Sequence, residues 1–362
     1  MKHIPQGAIK LSVELSAQVY SFLAQLVYFD PLRPDGTPYL SHEQSSLLPF
    51  TVGELLHAYT SRLHTEKDPL KPKKLTGIAK WVYEDQIHFL TNPENAAYKN
   101  WIVCNICAHN GVSNSGLYGF TVRMESDAVA IVFRGNEDPS DHLNDWRTSL
   151  DIANNTFTAQ HREALAYIRT HASALGRSDL KIFFIGHSLG GHIAELCTFL
   201  SPQAVKQNIC ACVTFNAPGF NNAFLKKYHD EIEEQNAIIT NYQNENDFVS
   251  SLLTSPVPPI ILHSSYQQFN FFCNHAISSY RTDSDSQFVL SQKQEKSFIC
   301  GGVYSWSLGI QKWPKIKQER AKLFWMSIFQ SDPLYIKTYF RQVGLFLQFG
   351  ISAVAQNLLG VR

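Results

Sequence analysis

The spacing of apolar positions changes several times along the chain, and each change marks a predicted element. Leu15, Val19, Phe22 and Leu26 share one helical face, with Leu23 and Val27 beside them. This predicts a helix entered at Ser12 and ended by Asp30-Pro31. A second helix is predicted over roughly 51–64, and the five lysines and two prolines of 66–80 read as an exposed loop. Residues 118–123 alternate and 127–133 form a compact apolar run, which predicts a hairpin turning at Glu125-Ser126. Then come a helix over 158–175, a buried strand over 180–185, a helix over 189–200, a strand over 210–215, a helix near 222–235 and a strand over 237–243. Strands alternating with helices at this spacing imply a mainly parallel sheet with helices on both faces. Residues 1–117 read as more helical and are expected to pack on that sheet. The pattern changes after about residue 285. The expected organisation is a main domain over 1–285 and a C-terminal helical extension over 286–362.

Composition narrows the function. A chain of 362 residues with 44% hydrophobic residues is globular, not disordered. Lys plus Arg (31) equal Asp plus Glu (31), so there is no overall field for a phosphate backbone, which argues against dedicated nucleic-acid binding. Charged residues at 17% and aromatics at 12% suit a protein that meets apolar material. The seven cysteines are odd in number and their spacing is no disulfide framework, so a reducing compartment is expected. The N-terminal residues lack an apolar run and a small-residue cleavage site. No fully apolar run reaches the ~20 residues that span a bilayer. The expected location is cytoplasmic, or outside the cell by a signal-peptide-independent route, with no transmembrane span.

The strongest chemical signal is Gly186-His187-Ser188-Leu189-Gly190, which follows a buried strand and opens a helix. Gly-x-Ser-x-Gly in that context is a nucleophile elbow, a tight turn that lifts a serine hydroxyl to the N-terminal end of the following helix. That end favours developing negative charge. A serine hydroxyl needs a base, and the base an orienting carboxylate. In this arrangement the order along the chain is serine, acid, histidine. Asp247 and its substitute Glu245 both follow the predicted strand 237–243. Two histidines come later: His275, after FNFFCN at a junction between loop and helix, and the alternative base His263, at the end of an apolar run. His187 reads as a support for the elbow, and His192 lies on the helix.

AIVFRGNEDPSDHLNDWRTSL (130–150), KIFFIGHSLGGHIAEL (181–196), VTFNAPG (213–219), NENDFVS (244–250) and NHAISSY (274–280) together resemble the class 3 lipases, the fungal-lipase-like branch of the α/β hydrolases. The resemblance covers roughly 118–285. It implies an α/β-hydrolase fold and a Ser188–Asp247–His275 triad. The residue after Phe-Arg-Gly, Asn136, and the residue after the serine, Leu189, would supply two oxyanion amides, and 137–147 correspond to a lid. The implied activity is hydrolysis of carboxylic esters in acylglycerols or phospholipids, as in a lipase or phospholipase A, with no cofactor. Ala217-Pro218-Gly219-Phe220 stands where the family often has Pro-Arg-x-Gly, and Glu137, Asp138, Asp141 and Asp145 make the lid stretch acidic. Rival readings are an acyltransferase or thioesterase on the same triad, or an inactive hydrolase fold that binds membranes or proteins.

Other features weigh less. Cys104-Asn-Ile-Cys107 with His109 is one C-x-x-C without a second pair, so no metal is expected. The stretch 311–322 is rich in Lys and Arg around Trp313, and in 343–361 Gln348, Ser352 and Gln356 form one polar line on an apolar helix. Such a helix packs on the main domain or makes a peripheral membrane contact.

Overall fold

In the computed structural model, residues 15–29, 50–57, 77–108, 116–135, 152 and 157–318 are described. Their frame is a sheet whose strands lie in chain order: β1 (Phe50–Thr51), β2 (Ile102–Ala108), β3 (Tyr118–Glu125), β4 (Ala128–Phe133), β5 (Lys181–His187), β6 (Ile209–Phe215), β7 (Ile239–Asn244) and β8 (Ile260–Leu262). Neighbours from β1 to β4 are antiparallel, and those from β4 to β8 are parallel. β4 is buried at every position and β5 at every position after Lys181, because helices cover both faces.

Alternation along β5 divides the core into two layers. Phe183 and Ile185 join Ala130, Val132 and Val213 against Val19, Phe22, Leu23 and Leu26 of helix α1 (Ala17–Leu26). Ile182 and Phe184 face the other way, with Ile131, Phe133 and Cys212, against α3 (Ala159–Thr170) and α4 (Leu189–Leu200). Each fully buried Phe or Leu of these layers contributes about 1.5–3 kcal/mol.

Several local expectations are corrected. The cap of α1 is Ser16, whose Oγ accepts from Val19 N at 3.4 Å. Helix α2 (Gly77–Thr91) takes in the last four residues of the predicted lysine loop. Residues 1–117 contain β1 and β2 as well as helices. The C-x-x-C lies on β2, where a bulge with Asn105 at φ 48° shifts the register between Cys104 and Cys107. The hairpin between β3 and β4 turns at 126–127. The predicted helices over 158–175 and near 222–235 each divide in two, at His171 and at Tyr228.

Beyond β8, helix α6 (Phe298–Ile310) buries Cys300, Val303, Trp306 and Ile310, and its Ser307 Oγ accepts from Leu253 N at 2.9 Å. Asn136, the lid stretch 137–147 and the apolar helix predicted over 343–361 lie outside the described residues. Among the described residues no helix is long and apolar enough to cross a membrane, and no group of His, Cys, Asp and Glu could hold a metal ion.

Candidate active site

Ser188 sits between β5 and α4 with φ 56° and ψ −132°, a conformation that only surrounding structure can hold in a residue with a side chain. The two motif glycines permit it. A Cβ on Gly186 would run into the Gly190 carbonyl, and one on Gly190 into the Phe133 carbonyl. Strand, turn and helix therefore pack closer than any other residue allows. Leu189 opens α4, so its N–H has no acceptor within its own helix.

Ser188, His275 and Asp247 come together from three segments. His275 Nδ1 lies 3.0 Å from Asp247 Oδ1, and His275 Nε2 lies 2.8 Å from Ser188 Oγ. Asp247 has no exposed surface, and it also accepts from Val249 N at 3.1 Å and Ser250 N at 2.9 Å. Burial pushes its carboxyl up, but His275, Lys296 and the Ser250 hydrogen bond outweigh burial and hold it down at about 2. The ionised carboxylate must accept, so the His275 proton is on Nδ1 and Nε2 is free to accept from Ser188. This row of bonds can withdraw a proton from the serine. His275 closes the short helix α5 (Phe271–His275), and a single 3-10 turn over Ile277–Ser279 follows it.

The other pair of candidates meets elsewhere. His263 Nδ1 lies 2.5 Å from Glu245 Oε1, and Glu245 Oε2 accepts from Ser291 Oγ at 2.8 Å. Among the described residues no hydrogen bond joins His263 to Ser188. The His263 side chain is 41% exposed against 20% for His275, so it is the more solvated of the two.

Three supports hold the row, of which only His187 was legible in the motif pattern. His187 Nε2 lies 2.8 Å from the His275 carbonyl, so it carries the proton, and Nδ1 accepts from Tyr28 Oη at 2.8 Å. Asn216, at φ 50° just past β6, donates to the same carbonyl at 2.9 Å, while its Oδ1 accepts from Asn244 N at 2.8 Å. Asparagine tolerates that backbone, and the Asn between strand and Ala-Pro-Gly was the available signal. Lys296 Nζ donates to the Asn244 carbonyl at 2.9 Å, the Asp247 carbonyl at 3.3 Å and Ser250 Oγ at 2.6 Å.

Below the serine, His192 Nδ1 donates to the Gly219 carbonyl at 3.1 Å, so its Nε2 accepts from His161 Nε2 at 3.1 Å. His161 Nδ1 in turn accepts from Thr158 N at 3.4 Å. Burial drives the three inner histidines toward neutrality: His192 down to about 4, His187 to about 3, and His161 well below its ordinary value. Burial also lifts Glu195 to about 8, against the pull of Thr214 Oγ1, so Glu195 is a neutral acid at pH 7.

These shifts set a stability profile. Below pH ~6.5 the unfolded chain protonates its imidazoles while the folded chain refuses, so the three histidines weaken folding as pH falls toward about 4 and below. Glu195 acts oppositely: the folded state keeps its proton above the unfolded carboxyl value, so stability falls as pH rises toward about 8. Three groups oppose one on the acid side. Urea midpoints are expected to peak near pH ~7 and to fall more steeply toward acid. A flat midpoint from pH ~5 to ~8 would contradict the buried neutral histidines.

The sheet, the elbow between its fifth strand and the following helix, and an acid after β7 and a histidine after β8 define the α/β-hydrolase fold. The chain belongs to the Mbeg1-like family, whose model matches residues 107–330, well over half its length. That range contains every sequence block of the fungal-lipase-like resemblance. No curated protein matches the chain. Among solved structures it is similar to a fungal lipase in an inhibitor complex, with TM-score 0.32 and 18% identity over 41% of this chain and 59% of that one. A triacylglycerol lipase from Penicillium expansum gives TM-score 0.31 and 18% identity over 53% and 80% of the two chains. An extracellular lipase from Serratia marcescens gives 0.35 and 14% over 86% and 50%. The chain thus spans 59% of the first of these lipases.

Proposed function

We propose that the chain is a serine hydrolase that cleaves carboxylic esters of lipids, with Ser188 as nucleophile, His275 as base and Asp247 as orienting carboxylate. The observation that carries this reading is the continuous row Ser188 Oγ–His275 Nε2 at 2.8 Å and His275 Nδ1–Asp247 Oδ1 at 3.0 Å, at the head of a nucleophile elbow. Ser188 Oγ attacks the ester carbonyl as its proton passes to His275 Nε2. The imidazolium is stabilised by Asp247 and returns the proton to the departing alkoxide, leaving an acyl-enzyme. Water then gives a proton to His275 and attacks the acyl carbon, and His275 returns that proton to Ser188 Oγ as the carboxylic acid leaves. The Leu189 N–H would face the tetrahedral oxyanion, with Asn136 as the second donor by family resemblance. One such donor is worth about 2.7–4 kcal/mol of barrier. The chemistry needs no cofactor.

The test is covalent labelling with a fluorophosphonate, followed by peptide mapping and a panel of acylglycerols, phospholipids and thioesters. Labelling at Ser188 with release of free fatty acid from a lipid ester is expected. A folded protein that takes no label would make the chain a scaffold. Acyl transfer to an alcohol in preference to water would make it a transferase.

A further inference from the structure

We infer that Lys296, in the segment after β8, is a positioning residue that fixes the Asp247 turn and through it the orientation of His275. The inference rests on the reading of Ser188, His275 and Asp247 as the catalytic residues. The turn leaves β7 at Asn244 and must present Asp247 Oδ1 to His275 while its own backbone is buried. Its inner side is self-satisfied: Asp247 accepts from Val249 N and Ser250 N, and Ser251 Oγ donates to the Asp247 carbonyl at 2.9 Å. Asp247 N also donates to the Asn244 carbonyl at 3.1 Å, and each of these carbonyls keeps a second lone pair open to donors from elsewhere. Lys296 supplies them at three points spread over the turn, the carbonyls of Asn244 and Asp247 and the hydroxyl of Ser250, at 2.9, 3.3 and 2.6 Å. The next residue continues the strap, with Ser297 N donating to the Glu245 carbonyl at 2.8 Å. Two consecutive residues thus hold positions 244, 245, 247 and 250.

The arrangement suits an ammonium group. Three donors on one nitrogen match three acceptors, and no neutral side chain of similar length offers three. Lys296 as a whole is half-buried, and its amine is buried beneath the turn it bonds. Burial lowers the Lys296 pKa, partly offset by the nearby Asp247 carboxylate. The positive charge beside Asp247 favours the ionised carboxylate, which keeps the His275 proton on Nδ1. Among the described residues no hydrogen bond joins Lys296 to Ser188 or His275, so its effect must pass through Asp247. A displacement of about 1 Å in such a constellation can reduce rate on the order of 100-fold.

The experiment uses the full chain and a soluble short-chain p-nitrophenyl ester. Lys296→Met is expected to lower kcat roughly 10- to 100-fold while KM changes less than about twofold. The downfield proton resonance of His275 Nδ1 is expected to shift or broaden. Ser250→Ala, which removes one acceptor but keeps the Ser250 N–H, is expected to lower kcat by roughly threefold alone and to add nothing in the Lys296→Met background. Lys296→Gln, which keeps a donor, is measured in parallel and takes over if Lys296→Met does not fold. A folded Met or Gln variant with wild-type kcat and an unmoved resonance overturns the inference. So does full additivity with Ser250→Ala. If neither Lys296 variant folds, the residue serves stability and the positioning role falls. Ser188→Ala is run alongside: activity retained there sinks the reading of the site itself, whatever Lys296 does.

Discussion

Ser188→Ala is expected to lower ester hydrolysis by roughly 10⁶-fold, the size of loss when a well-studied protease loses its serine. The loss is that large because the remaining groups act as a unit: without Oγ, His275 has no proton to withdraw and no acyl-enzyme forms. The change should leave the fold intact. Alanine keeps the Cβ that the φ 56° turn already accommodates, and it removes only the hydroxyl bonded to His275. Thermal unfolding should therefore move by no more than a few degrees. The check is hydrolysis of a soluble short-chain ester by folded mutant and wild type. More than a tenth of wild-type activity in the mutant would remove Ser188 from the role.

The two later histidines should separate completely. His275→Ala is expected to lose roughly 10⁴- to 10⁶-fold in kcat, whereas His263→Ala should stay within about threefold of wild type. Among the described residues His275 alone connects Asp247 to Ser188, while His263 is paired with Glu245. The backbone role of His275 survives the mutation, since His187 and Asn216 bind its carbonyl and not its ring. Asp247 keeps two backbone donors but loses its ring partner, so stability should fall by about 1–3 kcal/mol. The comparison of kcat for the two variants decides. A dead His263→Ala beside an active His275→Ala would reverse the assignment.

Legibility in the sequence followed the length scale of the interactions. The elbow was readable because strand, glycine-flanked turn and helix are contiguous, and the 189–200 helix was placed residue for residue. The buried strands β4 and β5 were readable because two covered faces demand unbroken apolar runs. β2 was not. Its Cys104-Asn-Ile-Cys107 is interrupted by a bulge, which breaks the alternation that betrays a strand. The first helix cap was misplaced by four residues, since Ser12 and Ser16 offer the same hydroxyl and only the actual chain path selects one. Asp247 and Glu245 differ by two positions in one loop, and His275 and His263 by their neighbours. In each case the sequence ranked the pair by local context, the apolar Phe248-Val249 after Asp247 and the loop-to-helix junction at His275, and the geometry separates them by partner. Lys296 was invisible: a lysine in a polar stretch looks solvated until its carbonyl acceptors, some fifty residues earlier, are in view.

The coincidence of strand order with chain order bears on how the protein is made. A ribosome delivers the N-terminus first, and domains begin to organise as they emerge. Here each new strand finds its partner in the strand released just before it, so the sheet can lengthen one strand at a time with no insertion between paired neighbours. The same order leaves an open apolar edge on the newest strand at every stage, the kind of edge that pairs with other nascent chains. β8, the last edge, has only three residues and is covered late, when His263 N reaches the Val289 carbonyl at 2.8 Å and Ser291 N the Ile261 carbonyl at 2.9 Å. Synthesis that stalls between about residue 262 and 291 would therefore hold a nearly complete sheet with its sticky side uncovered, and that window is where a chaperone is needed most.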